Sequence, residues 1–330
     1  MQQIDIIVRQ IIILTLLGAT GFVAGKTKYL PESTGPILSK CVVKLTTPLL
    51  IIATMSQYSF KGKTLETGLF IYFFGLIFLF LSFLTSVFMS SRLKLDGPAA
   101  SVYSMCSTFG NVMFMAYPLL TALYGTKGII YAIFFNLSND TLLWTLGIYL
   151  VNRHNTVNWK DNLKHLINGN TVSFTIGILL SVINFQNLVV NNNTVAAAYR
   201  LFNDSLGKLG GTTIYISMVF IGIILSEVKI DGVKGLLQRY PVFVMSLFKL
   251  ILIPAAAFLL MSLFDGILDP FVKKVVVLQL GMPAGTIVAA LASQYDSDYK
   301  FATENIFVTT IASVLTLPLL AYTVEYIKLF

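Results

Sequence analysis

The chain has 330 residues, 56% hydrophobic and only 12% charged, with a formal net charge of +8. Soluble domains carry about 25% charged residues; half that share leaves too little polar surface to coat a water-soluble globule, and the mean hydropathy is +0.79. The positive balance does not point to nucleic acid, because the basic residues cluster in short loops between apolar runs, where they orient a chain in a bilayer.

In chain order, apolar stretches of roughly membrane-spanning length recur throughout. Ten spans are expected, at about 4–25, 33–57, 67–90, 98–124, 127–151, 169–188, 195–226, 240–264, 271–294 and 302–327. The first, Ile4 to Gly25, is longer than the apolar core of a cleavable signal and reads as a span. Polar turns mark the cuts: Lys26 to Pro31, Lys61-Gly62-Lys63, and Asp96-Gly97-Pro98, a strong helix breaker. The longest polar stretch, Asn152 to Asn170, is too short for a soluble core. Asn191 to Asn193 opens the seventh span. Cys41 and Cys106 fall inside spans without metal-ligand spacing, and His154 and His165 lie in the central loop away from any acidic cluster, so no metal or cofactor is expected.

Loop charge sets orientation. Lys26, Lys28, Arg92, Lys94, Arg153, Lys160, Lys164, Lys229, Lys234, Arg239 and Lys300 follow odd-numbered spans; Lys61, Lys63, Lys127, Lys273, Lys274 and Lys328 follow even-numbered ones. The richer side is cytoplasmic by the positive-inside rule, which puts both termini outside. The expected fold is an all-α membrane protein of ten transmembrane helices in a 5+5 inverted repeat, residues 1–151 and 169–330, within a single transporter domain over 1–330.

Two interruptions stand out. Span four reads Phe109-Gly110-Asn111-Val112-Met113-Phe114-Met115-Ala116-Tyr117-Pro118; span nine reads Gln279-Leu280-Gly281-Met282-Pro283-Ala284-Gly285-Thr286. Proline removes a donor and clashes with the preceding turn, and glycine eases unwinding. Unwound backbone in hydrocarbon survives only against protein or a water-filled cavity. Paired interruptions in matching positions of two halves mark a transporter's binding site. Kink prolines are common in membrane helices, and Pro254 and Pro318 read that way; two interruptions in register favour function.

The stretches GNVMFMAYPLL and LGMPAGTIVAALASQY, with LTTPLLIIA at 45–53, NDTLLWTLGIYL at 139–150 and TTIASVLTLPLL at 309–320, resemble the auxin efflux carrier family, including its bacterial malate-permease-like members. The resemblance covers essentially the whole chain. It implies spans four and nine crossing at broken midpoints, a scaffold of 1–57 plus 169–226 that dimerises, and a mobile transport domain of 67–151 plus 240–327 moving as an elevator in the cell membrane. Asn111, Pro118 and Pro283 carry over from the family's crossover motifs.

An organic anion at the crossing would meet two half-helix N-termini, whose N–H groups and dipoles favour negative charge. The candidate substrate site is Asn111, Val112, Met113, Pro118, Thr47, Gly281, Met282, Pro283, Ala284, Gly285 and Thr286. Asp140, mid-span beside Asn136 and Asn139, is a candidate for coupling to protons or sodium, since a charge there is costly; it reads equally as a partner for a freed backbone group. Lys44 and Arg200 are candidates for attracting the anion, or for snorkelling to the interface. Gly21 and Gly25 have the small-residue spacing of close helix packing. The spans lack histidine and hold few acids, so no enzyme is expected. The alternatives to an organic-anion carrier are a sodium-coupled symporter of the bile-acid type and a channel of similar fold.

Overall fold

The computed structural model describes residues 2–56, 62–152, 167–183, 193–227 and 240–327. Lys61, most of the Asn152–Asn170 loop with its two histidines, Asn191, Lys229, Lys234, Arg239 and Lys328 lie outside the described residues.

Eleven helices make up the described chain. They are α1 (Gln2–Lys26), α2 (Thr34–Ser56), α3 (Lys63–Arg92), α4 (Gly97–Thr108), α5 (Val112–Val151), α6 (Gly169–Val182), α7 (Asn193–Glu227), α8 (Tyr240–Ser262), α9 (Pro270–Leu280), α10 (Thr286–Gln294) and α11 (Tyr299–Tyr326). Local chemistry sets their starts. Asp96 accepts from the Ala99 N–H at 3.0 Å, with Pro98 in the first turn of α4. Asn168 and Thr171 form a reciprocal capping box at α6. Asp298 accepts from the Phe301 N–H at α11.

Six of these helices, α2, α3, α5, α7, α8 and α11, are long and apolar enough to cross a membrane. The expected ten transmembrane helices in a 5+5 inverted repeat are thereby corrected. Hydropathy runs through the backbone breaks, so it fuses short helices into apparent spans. α4, α9 and α10 have 12, 11 and 9 residues, and at about 1.5 Å per residue none reaches across a core of about 30 Å. The apolar part of α1, Ile12–Lys26, and α6 are also short. The expected turn between spans four and five is a kink at Gly125 (φ 59°) inside one continuous stretch, α5.

Packing falls into two groups. α1 lies along α7, and the second half of α2 packs against α6 and α7. A Cβ on Gly21 would strike the Val219 backbone, and one on Gly222 would strike that of Gly18, so α1 and α7 touch backbone to backbone at their small residues. In the other group α3 packs on α4, α5 and α9, while α11 contacts α4, α8, α9 and α10. Tyr103, Tyr117, Phe109, Phe134 and Phe135 are its largest fully buried side chains.

The two interruptions meet. After Thr108 the chain is extended at Phe109 (φ −92°, ψ 116°); after Leu280 it turns at Gly281 and is extended at Gly285 (φ −71°, ψ 132°). The Asn111 N–H donates to the Pro283 carbonyl at 2.7 Å and the Gly285 N–H to the Phe109 carbonyl at 3.0 Å, closing an antiparallel bridge between Gly110 and Ala284. A Cβ on Gly285 would stand 2.9 Å from the Gly110 carbonyl oxygen, so this approach needs glycine. The Ala284 N–H donates to Thr309 Oγ1 at 3.1 Å, tying the bridge to α11. Each unpaired backbone group here would cost several kcal/mol, and mutual pairing of the breaks removes much of that cost.

Candidate functional site

A cavity of about 370 Å³ opens beside the bridge. Its walls are Gly110 to Phe114 at the α5 start, Gly285 to Ile287 at the α10 start, Asn136, Asn139, Asp140, Leu143 and Trp144 on α5, Val43 and Lys44 on α2, and Asn168 to Asn170 at the α6 start. Of the expected substrate residues, the structure brings Asn111, Val112, Met113, Gly285 and Thr286 to this cavity, together with Asn136, Asn139, Asp140 and Lys44.

The others lie elsewhere. Gly281, Met282, Pro283 and Ala284 are buried within the second break and do not line the cavity. Pro118 sits in the first α-helical turn after the π turn Val112–Ala116 of α5, seven residues beyond Asn111, and is buried. Thr47 is fully buried away from the cavity. Arg200 is exposed on α7.

Two helix starts face the cavity with donors unspent. Among the described residues the Val112, Met113 and Phe114 N–H groups have no acceptor, nor do those of Thr286 and Ile287. These are the orphan donors of any helix N-terminus, and the helix dipole adds positive potential there. The Asn111 side-chain amide nitrogen is also buried without an acceptor. Across the cavity, Asn136 Nδ2 donates to Asp140 Oδ2 at 3.3 Å, while the side-chain oxygens of Asn139 and Asn170 have no donor. Unspent donors therefore lie at the breaks and unspent acceptors around Asp140.

Three π-helical turns supply walls of this cavity, and a fourth lies behind one of them. Val42–Thr46 carries Val43 and Lys44, Val112–Ala116 carries three wall residues, Leu143–Gly147 carries Leu143 and Trp144, and Phe248–Leu252 carries Lys249. A π turn inserts one residue into the helical ladder and rotates the side chains after it, and such turns concentrate at functional sites.

Lys249 escapes a reading of the sequence that weighs basic residues by loop. It is 1% exposed, and its Nζ donates to the Thr108 carbonyl at 3.1 Å. It therefore caps the C-terminal end of α4, where the break leaves carbonyls unpaired and the dipole is negative. Its Nζ lies 3.6 Å from where a Gly110 Cβ would stand, so the amine sits directly behind the cavity wall. The signal was present in sequence: Lys249 is the one charge in the apolar stretch 240–262.

A family profile described as membrane transport protein matches residues 6–321. The chain belongs to the membrane transport protein family. An uncharacterized transporter of Methanocaldococcus jannaschii is 26% identical over 312 residues, covering 94% of this chain and 96% of that one. An uncharacterized transporter of Methanothermobacter thermautotrophicus is 22% identical over 321 residues, covering 94% and 95%. The protein is thus a multi-pass membrane transporter rather than an enzyme.

Proposed function

We propose that this membrane transport protein carries a small organic anion, a malate-like or other carboxylate, as a secondary-active carrier. The observation that carries the reading is the convergence of the Asn111 amide and the unspent N–H groups of Val112–Phe114, Thr286 and Ile287 on one cavity. Such donors bind a carboxylate without a permanent contact cation and so release it again. Lys44 in the wall adds positive potential. The likeness of both break motifs to the auxin efflux carrier family points to the same cargo class.

The two packing groups support an elevator in which α3 to α5 and α8 to α11 slide against a scaffold of α1, α2, α6 and α7. Asp140 faces the scaffold's Asn170 across the cavity wall and serves as the coupling carboxylate. The test is uptake by purified protein in liposomes over a panel of labelled carboxylates, with counterflow. Saturable uptake and counterflow of at least one carboxylate are expected. No carboxylate uptake sinks the cargo class, and flux without counterflow points to a channel.

The scaffold is also read as the homodimer surface, because α6 and α7 expose Leu179, Leu201 and Phe202, and both termini as external in the cell membrane. Crosslinking in native membranes should trap a dimer, and a cysteine near residue 2 should react with an impermeant thiol reagent on intact cells. Monomer alone, or labelling only after lysis, overturns the respective reading.

A further inference from the structure

The wall opposite the break donors holds the second group of unspent atoms. A separate small void of about 10 Å³ lies between α5 and α6, lined by Asp140, Asn136, Asn170 and Thr171 among others. That volume admits one water-sized particle. Asn170 is 7% exposed and Asn139 3% exposed, and the side-chain oxygen of each lacks a donor. Asp140 lines both this void and the larger cavity, as does Asn170. Asn136 Nδ2 donates to the carboxylate and orients it.

We propose that Asp140 and Asn170, which face the void from its two sides, form the core of a binding site for one small monovalent cation, sodium in size and charge, bridging α5 and α6. This deepens the reading of Asp140 as the coupling group. A proton needs only the carboxylate and leaves the unpartnered Asn170 oxygen unused; a hard cation uses both. A single carboxylate balances one positive charge. Divalent sites recruit further acids, and no group of three or more acidic, histidine or cysteine ligands occurs among the described residues. The void is too small for a hydrated ion, so the cation enters stripped of most of its water, through the larger cavity that shares Asp140 and Asn170.

The placement supplies a coupling rule. Asp140 rides on α5 and Asn170 on α6, which fall in different packing groups. The oxygen set is complete only while α5 is docked against α6. A bound cation therefore holds this position, and sliding of α5 opens the site and releases the ion.

The test is thermal melting of the purified full-length protein in detergent, titrated with sodium chloride against choline chloride at equal ionic strength and with no organic anion present. A saturable rise in Tm specific to sodium is expected. Asp140→Asn should abolish it, and Asn170→Ala should weaken the apparent Kd about tenfold, the loss of one charge-assisted contact. The cap of α6 rests on Asn168 and Thr171, so Asn170→Ala keeps its helix start. A wild-type response to sodium no larger than to choline means the void holds a structural water only and overturns the proposal. So does an unchanged sodium response in Asn170→Ala. Sodium binding without carboxylate uptake sinks the anion reading and leaves this site standing; uptake without sodium binding does the reverse.

Discussion

Asn111→Ala is expected to raise the KM for the carried anion about 10- to 100-fold, the range set by one hydrogen bond to a charged group, while leaving the melting temperature unchanged or slightly raised. The two halves of that result have one cause. In the structure the Asn111 amide nitrogen is a buried donor with no acceptor, so without cargo it contributes an unmet desolvation cost and no bond. Removing it relieves that cost. With cargo bound, the same nitrogen has a carboxylate oxygen to meet, and its removal is felt in full. The backbone is spared, because the bond from the Asn111 N–H to the Pro283 carbonyl does not involve the side chain. Asn111→Asp sharpens the contrast: it places a negative charge among donors intended for an anion and should abolish uptake at substrate levels that rescue the alanine variant. Initial-rate uptake in liposomes beside thermal melting decides it. A wild-type KM in Asn111→Ala removes Asn111 from the site, and a large fall in Tm makes its role structural.

How much of this was legible in the sequence depends on which physical signal was being read. The interruptions at Gly110-Asn111 and Gly281 to Gly285 were plain, because glycine and proline act on the backbone within a residue or two of where they stand. Pro118 shows the limit of that reading. It lies in the same motif as Asn111, but proline is tolerated in a first helical turn, and the break had already closed through the π turn Val112–Ala116. The number of membrane-crossing helices was misjudged for a related reason. Hydropathy averages over a window, and the buried Val272, Val275 to Leu278 and Leu280 of α9 raise it as a lipid-facing run would, although the helix is too short to cross. Apolar windows continue across Phe109 to Asn111 without marking the backbone break.

The charged and polar parts divide differently. Asp140 was legible as an acid amid apolar residues, and so was Lys249 had the same test been applied to bases. Asn170 was not legible at all. It stands next to a polar loop, where asparagine is ordinary, and its significance comes from the fold bringing the start of α6 against α5 over residues 136–140. The donors at the breaks and the acceptors around Asp140 are separated in sequence by more than twenty residues and share one cavity, so their complementarity belongs to tertiary structure alone. The cavity thus presents unspent donors on one side and unspent acceptors on the other. If the proposed carboxylate and cation occupy those sides together, they attract each other more strongly in a medium of low dielectric than in water, and loading one would favour loading the other.

Asp140→Asn is expected to abolish gradient-driven accumulation of the anion while sparing exchange of internal for external substrate. The amide keeps the size of the carboxyl and still offers Asn136 Nδ2 an oxygen, so the wall between α5 and α6 remains intact, at a cost of about 1 kcal/mol for a weakened hydrogen bond. What disappears is the charge. An amide neither gains nor loses a proton and is a poor ligand for sodium, so movement of the carrier is no longer tied to movement of a cation. Uptake then stops when the internal and external substrate concentrations are equal, whatever sodium or proton gradient is imposed. Exchange survives because loaded carrier crosses in both directions and no net cation flow is needed. If Asp140 merely satisfies its neighbours on α5, the same substitution costs some stability and leaves accumulation at the wild-type level. Accumulation and exchange measured in the same liposomes, with sodium and proton gradients imposed separately, distinguish the two. Full accumulation by well-folded Asp140→Asn removes the carboxylate from the coupling mechanism, and loss of exchange together with accumulation moves Asp140 from coupling to cargo binding.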